Sequence, residues 1–209
     1  MTPLHVIANV VRVVTQAADD VTGDRNGYPL LVADGCVEAL KSFGIEARIM
    51  YGQAAWLEVL QDHTVLWAGC WDGSFHFWVA TSFGEVVDCN ASVSHRKPLT
   101  QTREGTPLPR PLHSPPLLWS AEVPRFYRYQ PEGIAESLPE GDREKRWRDA
   151  VLAAVRAGCG PARAPRSVEP EFPDEPILCP ARKLLDDTHG TFKLYDRAIA
   201  VTGIPKAPF

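Results

Sequence analysis

The sequence predicts an α+β protein: N-terminal helices packed on a small antiparallel β-sheet, then a proline-rich wrap and C-terminal helices. Three observations carry that expectation. Apolar residues near the N-terminus recur at helical spacing. From Ala47 onward, short segments rich in Val, Ile, Phe and Trp are punctuated by glycine. Beyond Pro98 the periodicity gives way to proline, with nine of the 19 prolines lying between Pro98 and Pro139. Helices first and strands second is the order of an α+β fold.

The first helix opens at Thr2-Pro3, where Thr can cap and Pro fits the first helical position. Val6, Val10, Val13 and Ala17 form its apolar stripe, widened by Ile7 and Val14. Asp24 to Pro29 reads as a loop. A second helix is expected from Gly35 to Phe43, ended by Gly44. Strands follow at Ala47–Tyr51, Thr64–Ala68, Phe75–Ala80 and Glu85–Asp88. Gly52, Gly69, Gly73 and Gly84 punctuate them, and Ser82-Phe83-Gly84 forms a hairpin turn. Prolines neither donate to a ladder nor continue a helix, so Pro98–Pro139 is expected to be irregular. Leu117, Leu118, Trp119, Phe126 and Tyr127 would pin it to the body. Asp142–Ala157 is an amphipathic helix burying Trp147, Val151 and Val155, with Arg143, Glu144 and Arg148 facing water. Pro161–Pro180 reads as a linker, and Ala181–Val201 as helical with a break near Gly190. Residues 1–97 are thus read as a core and 98–209 as an extension packed on it.

Composition narrows the function. The chain has 209 residues, 44% apolar and 23% charged, and a net charge of −4. That balance lacks the clustered positive surplus a nucleic-acid partner requires. No stretch of 18 apolar residues exists to span a membrane. The apolar run at residues 4–18 has Arg12 in its middle rather than a basic start, so no export signal is expected and the reading is cytoplasmic. Five scattered cysteines (Cys36, Cys70, Cys89, Cys159, Cys179) suit free thiols better than a disulfide framework. His63, Cys70, His76 and Cys89 match no standard metal-ligand spacing. No cofactor or metal is expected.

The chemistry-bearing residues lie in the first half. Cys36 follows Asp34-Gly35 at the expected helix start, where partial positive charge and free N–H groups favour a thiolate and can hold an oxyanion. A small buried apolar role is its ordinary alternative. His76 alternates with Phe75 and Phe77 on a strand and shares a face with Trp78. Asp88, twelve residues on and past a turn, is placed to stand beside His76 on the neighbouring strand, and a buried carboxylate needs such a partner. Cysteine, histidine and aspartate then make nucleophile, base and orienter. Cys36 is expected to be the most reactive thiol, whereas Cys70, Cys159 and Cys179 have no expected activating partner.

These residues resemble those of the transglutaminase-like superfamily. Gly35-Cys36, Leu40, Gly44-Ile45-Glu46-Ala47-Arg48 and Tyr51-Gly52 are similar to its helix and first strand. His76-Phe77-Trp78-Val79 resembles its His-Ala-Trp-Val strand, and Asp88 with Ser92 its terminal Asp-Pro-Thr. The resemblance covers residues 30–95. It implies a papain-like fold, with Cys36 as nucleophile, His76 as base and Asp88 as orienter. The Trp that many members carry before the cysteine is missing here. Asn26 and Tyr28 are the candidates for the oxyanion donor, and Trp78 for a substrate contact.

The expected function is thiol-dependent acyl transfer or hydrolysis at an amide or peptide bond, with a peptide or protein amide as substrate. Two alternatives stand beside it. One is a non-catalytic protein-binding module on the same fold. The other is an unrelated α+β protein whose Cys, His and Asp never meet, which the distances between those side chains decide.

Overall fold

A computed structural model describes residues 1–60, 64–90, 102–103, 106–107, 111–113, 118–120, 127–135, 141–159 and 199–209. The fold is α+β: helices packed against a curled antiparallel sheet. Helix α1 (Leu4–Thr22) presents the expected apolar stripe, with Ile7, Val10 and Val14 fully buried. Thr2 does not cap it. Its N–H and hydroxyl instead donate to the buried Glu85 carboxylate at 2.8 and 2.5 Å, tying the N-terminal segment to the sheet.

Helix α2 spans Pro29–Ser42, after a 3-10 turn at Arg25–Gly27. It therefore starts six residues before the expected Gly35, and Cys36 lies in its interior rather than at its N-terminus. Pro29 takes the first helical position, where its missing N–H is no loss. Gly35 has a different purpose. A Cβ there would stand 3.1 Å from Val14 Cγ1 and 3.4 Å from Val151 Cγ1, so its lack of a side chain lets three helices close on one point. Helix α3 (Asp142–Gly158) is the third of these. It buries Val151 and Val155, and half-buries Trp147 against Tyr28 at 5.0 Å between ring centroids. Arg148, expected to face water, instead pairs with Asp34 of α2 at 2.8 Å.

The sheet is organised around β1 (Ala47–Leu60), a 14-residue strand rather than the five-residue one expected. Strands β2 (Val65–Cys70) and β3 (His76–Thr81) both pair with it, β2 along Ala54–Val59 and β3 along Ala47–Gly52. Strand β4 (Val86–Asp88) pairs with β3. Short strands β5 (Thr102–Arg103) and β6 (Thr106–Pro107) pair with each other. Strand β7 (Pro111–His113) pairs with β1, and β8 (Leu118–Ser120) with β4. Strand β9 (Tyr127–Ile134) pairs with β1 from Met50 to Trp56.

Strand β9 corrects the expectation of an irregular wrap. Pro131 is accommodated where the β1–β9 register shifts, between Tyr51 and Gly52, so its missing N–H falls at an irregularity of the ladder. Gly52 makes this possible. A Cβ there would lie 2.2 Å from the Gln130 carbonyl oxygen. Gly52 is therefore a site of close backbone approach inside a strand, not the strand end that the sequence suggested. Leu118, Trp119 and Tyr127 are fully buried, as expected of the apolar residues in this stretch. Leu117 and Phe126, the linker at Pro161–Pro180 and most of Ala181–Val201 lie outside the described residues. No helix among the described residues is long and apolar enough to cross a membrane.

Candidate functional site

The register of β1 places the chemistry. Met50 pairs with both Trp78 and Ile134, and Ala54 with both Cys70 and Tyr129. Strand β9 therefore runs along one edge of β1, while β2 and β3 follow one another along the other edge. Between them the chain leaves the ladder for residues 71–75, where Asp72 (φ 53°) and Gly73 (φ 90°) form the turn. Cys70 faces Ala54 and His76 faces Gly52, two residues apart on β1, so both side chains emerge on one face.

On that face His76 Nε2 is 2.7 Å from Asp88 Oδ2, and Cys70 stands near enough to the same imidazole to help raise its pKa. The Tyr129 hydroxyl donates to Asp88 Oδ2 at 2.7 Å, and the Asn90 N–H to Oδ1 at 2.8 Å. The Trp56 ring stands edge-on to the imidazole at 5.5 Å between centroids. His76 and Asp88 are buried, at 4% and 2% exposure, whereas Cys70 is partly exposed.

Electrostatics follow from this burial. Desolvation on its own lowers the pKa of His76. The Asp88 charge and hydrogen bond outweigh it, with help from Cys70, and raise the value from 6.5 to about 9. Desolvation pushes Asp88 up, but His76, Tyr129 and the Asn90 N–H hold it below the ordinary 3.8. The pair is an imidazolium–carboxylate at neutral pH.

Cys36 is elsewhere. Its thiol donates to Cys89 Sγ at 3.7 Å, and it is 1% exposed. The Cys89 thiol, burial and the Asp88 charge push its pKa well above the usual thiol range. The physical reason is the strand period. Asp88 and Cys89 are neighbours at the end of β4 and point to opposite faces, Asp88 toward His76 and Cys89 into the core beneath α2. A residue on the helix face thus meets Cys89 and not His76. Nor does Cys36 sit at a helix terminus, because α2 begins at Pro29.

The other expected site residues are engaged in packing. Trp78 is 3% exposed and packs against Tyr129 in a tilted pair, 5.0 Å between ring centroids. Tyr28 packs on Trp147. Asn26 is buried, and its carbonyl accepts from Asn90 Nδ2 at 3.2 Å. Sequence reasoning missed Cys70 and Tyr129. The signal for Cys70 was the Asp72-Gly73 turn, which sets Cys70 and His76 on either side of a short excursion. For Tyr129 the prolines masked the strand. An open cleft of about 830 Å³ is lined by Val37, Lys41, Ile45, Arg48, Met50 and Ile134 among others, and none of Cys70, His76 or Asp88 lines it.

No protein-family model matches the chain, and no curated protein is similar enough to match. A crystal structure of a genomics target is similar over 80% of this chain and 85% of its own, at 17% identity and a TM-score of 0.40, too low to support any argument about fold or function.

Proposed function

We propose that the protein carries out thiol-dependent acyl transfer or hydrolysis at an amide or peptide bond, with Cys70 rather than Cys36 as nucleophile. The observation behind this reading is the buried His76–Asp88 pair with the partly exposed Cys70 beside it on the same sheet face. With Nε2 committed to Asp88, Nδ1 is the ring nitrogen left to exchange a proton with a thiol. His76, held protonated to about pH 9, is the acid available to the departing amine.

The chemistry then runs in two steps. The Cys70 sulfur attacks the substrate carbonyl, and the imidazolium gives its proton to the departing amine, leaving a thioester on Cys70. His76 takes a proton from the incoming water or amine, which attacks the thioester and releases the thiolate. Asp88 stabilises the imidazolium in both steps, and Tyr129 and Asn90 hold Asp88 in position. The resemblance of residues 30–95 to transglutaminase-like proteins supports the same base and orienter, His76 and Asp88. It does not support Cys36, which lies inside α2.

An active ester tests the reading without knowledge of the natural substrate. With p-nitrophenyl acetate, the expected result is one acetyl group on Cys70, read by peptide mass spectrometry. It should be absent in Cys70→Ser and slowed in His76→Ala. Acetylation that spares Cys70, or ignores His76→Ala, overturns the proposal.

A further inference from the structure

Cys36 and Cys89 have no part in that chemistry, yet their side chains meet between α2 and the end of β4. Their sulfurs are 3.7 Å apart and both residues are at most 2% exposed. Two buried thiols in contact differ from one. A sulfenic acid formed on either sulfur has a thiol beside it to condense with, before further oxidation can intervene. Cys89 is also joined by one peptide bond to Asp88, which holds His76, and by another to Asn90, whose N–H holds Asp88 Oδ1.

We propose that Cys36 and Cys89 are a modification site for a peroxide, which converts them to a disulfide, and that this bond resets Asp88 and with it the His76 site. The second clause rests on the function proposed above, whereas the first does not. The chemistry balances. One thiolate attacks a peroxide oxygen, an S–O bond forms, the O–O bond breaks and water leaves after protonation. The second thiolate attacks that sulfur and expels the oxygen as a second water. Two thiols lose two electrons and two protons, and one hydrogen peroxide becomes two waters.

A disulfide requires the sulfurs at about 2.05 Å, so they must close by more than an ångström. Helix α2 is wedged between α1 and α3 at Gly35. Cys89 follows Asp88, the last paired residue of β4, and on this proposal it is the partner that moves toward the helix. Asp88 moves with it, away from a hydrogen bond that is now 2.7 Å long. The raised pKa of Cys36 gives the reaction a direction in pH, because attack needs the thiolate and oxidation should quicken as pH rises.

The full-length protein is treated with hydrogen peroxide, then digested without reduction and mapped by mass spectrometry. The expected product is a crosslinked peptide pair carrying Cys36 and Cys89, faster at pH 9 than at pH 7 and reversed by dithiothreitol. Iodoacetamide labelling of Cys70 should slow at least about threefold in the oxidised protein and recover on reduction. In Cys36→Ser and Cys89→Ser only direct oxidation of Cys70, read as its dimedone adduct, should remain, and the further slowing that follows the crosslink should disappear. If Cys36 and Cys89 remain free thiols, or pair with other cysteines, the proposal is overturned. If they pair and Cys70 labelling is unchanged, the coupling to the site is overturned. The crosslink readout does not involve Cys70, so it stands even where the acyl-transfer reading fails.

Discussion

Cys70 and His76 face Ala54 and Gly52 of the same strand, so two residues separated by a turn in sequence share one face of the sheet. That relationship joins a partly exposed thiol to a buried imidazolium–carboxylate pair, and most of the expected behaviour of the site follows from it.

The thiols should separate by reactivity. In the folded protein, iodoacetamide should label the partly exposed Cys70 faster than the buried Cys36. Cys36 should label more slowly than its unfolded counterpart, since its pKa is raised. His76→Ala should slow Cys70 by removing the adjacent cation. The check is site-resolved mass spectrometry from pH 5 to 9. Cys36 outpacing Cys70 would reverse the assignment.

Stability should depend on pH through the same pair. The His76 pKa is higher folded (about 9) than unfolded (6.5), so its contribution is fully present below pH 6.5 and is lost as pH rises through about 9. The shift is worth about 3 kcal/mol at most. The Asp88 pKa is lower folded than unfolded, so on the acid side stability falls as pH drops below its ordinary 3.8. Urea melts across this range should show a plateau between about pH 4 and 6.5, with a decline on each side. His76→Phe should flatten the alkaline decline. An unchanged alkaline limb would refute the pairing.

Tyr129→Phe removes one hydroxyl from Asp88 while keeping the ring against Trp78. A hydrogen bond to a buried charge is worth about 1.5–3 kcal/mol. The expected loss is of that size, without a change in the slope of the urea transition. Because the hydroxyl stabilises the carboxylate, its removal should also raise the Asp88 pKa and move the acid decline upward. A loss below about 0.5 kcal/mol would show that the bond is not made in solution.

Gly52→Ala places a methyl group 2.2 Å from a backbone oxygen of β9, which no rotamer can relieve. We expect a destabilisation of about 3 kcal/mol, with faster hydrogen exchange on β9 than on β3. Ala54→Gly, two register steps away, should cost less, since it adds no atom to the β1–β9 approach. Equal exchange on both strands would argue that Gly52 tolerates a side chain.

Much of this fold was legible before any coordinates. The apolar stripe of α1 and the amphipathic pattern of α3 follow from local periodicity, and the structure places those helices where the pattern indicates. The hairpin through Ser82-Phe83-Gly84 is closed by Gly84 N–H to the Thr81 carbonyl at 2.9 Å, as its turn residues suggest. His76 and Asp88 were readable as neighbours because antiparallel strands joined by a short turn bring such positions together. Their bond is 2.7 Å long.

Other features were decided by contacts between distant parts of the chain. Gly35 reads as a helix start and Gly52 as a strand end, because local sequence shows that a glycine is present and not what approaches it. Val14 and Val151 explain the first, and Gln130 the second. Pro131 reads as a strand breaker until the shifted register of β1 and β9 accommodates it. The proposed nucleophile illustrates the same division. The sequence by itself determined which residues could do thiol chemistry and that His76 and Asp88 would meet. Tertiary structure decided which thiol joins them. Strand alternation sends Asp88 and Cys89 to opposite faces, so Cys36 pairs with Cys89 while β1 brings Cys70 to His76. A one-residue difference in facing is set by the register of a sheet whose strands lie far apart in sequence, and no local pattern encodes it.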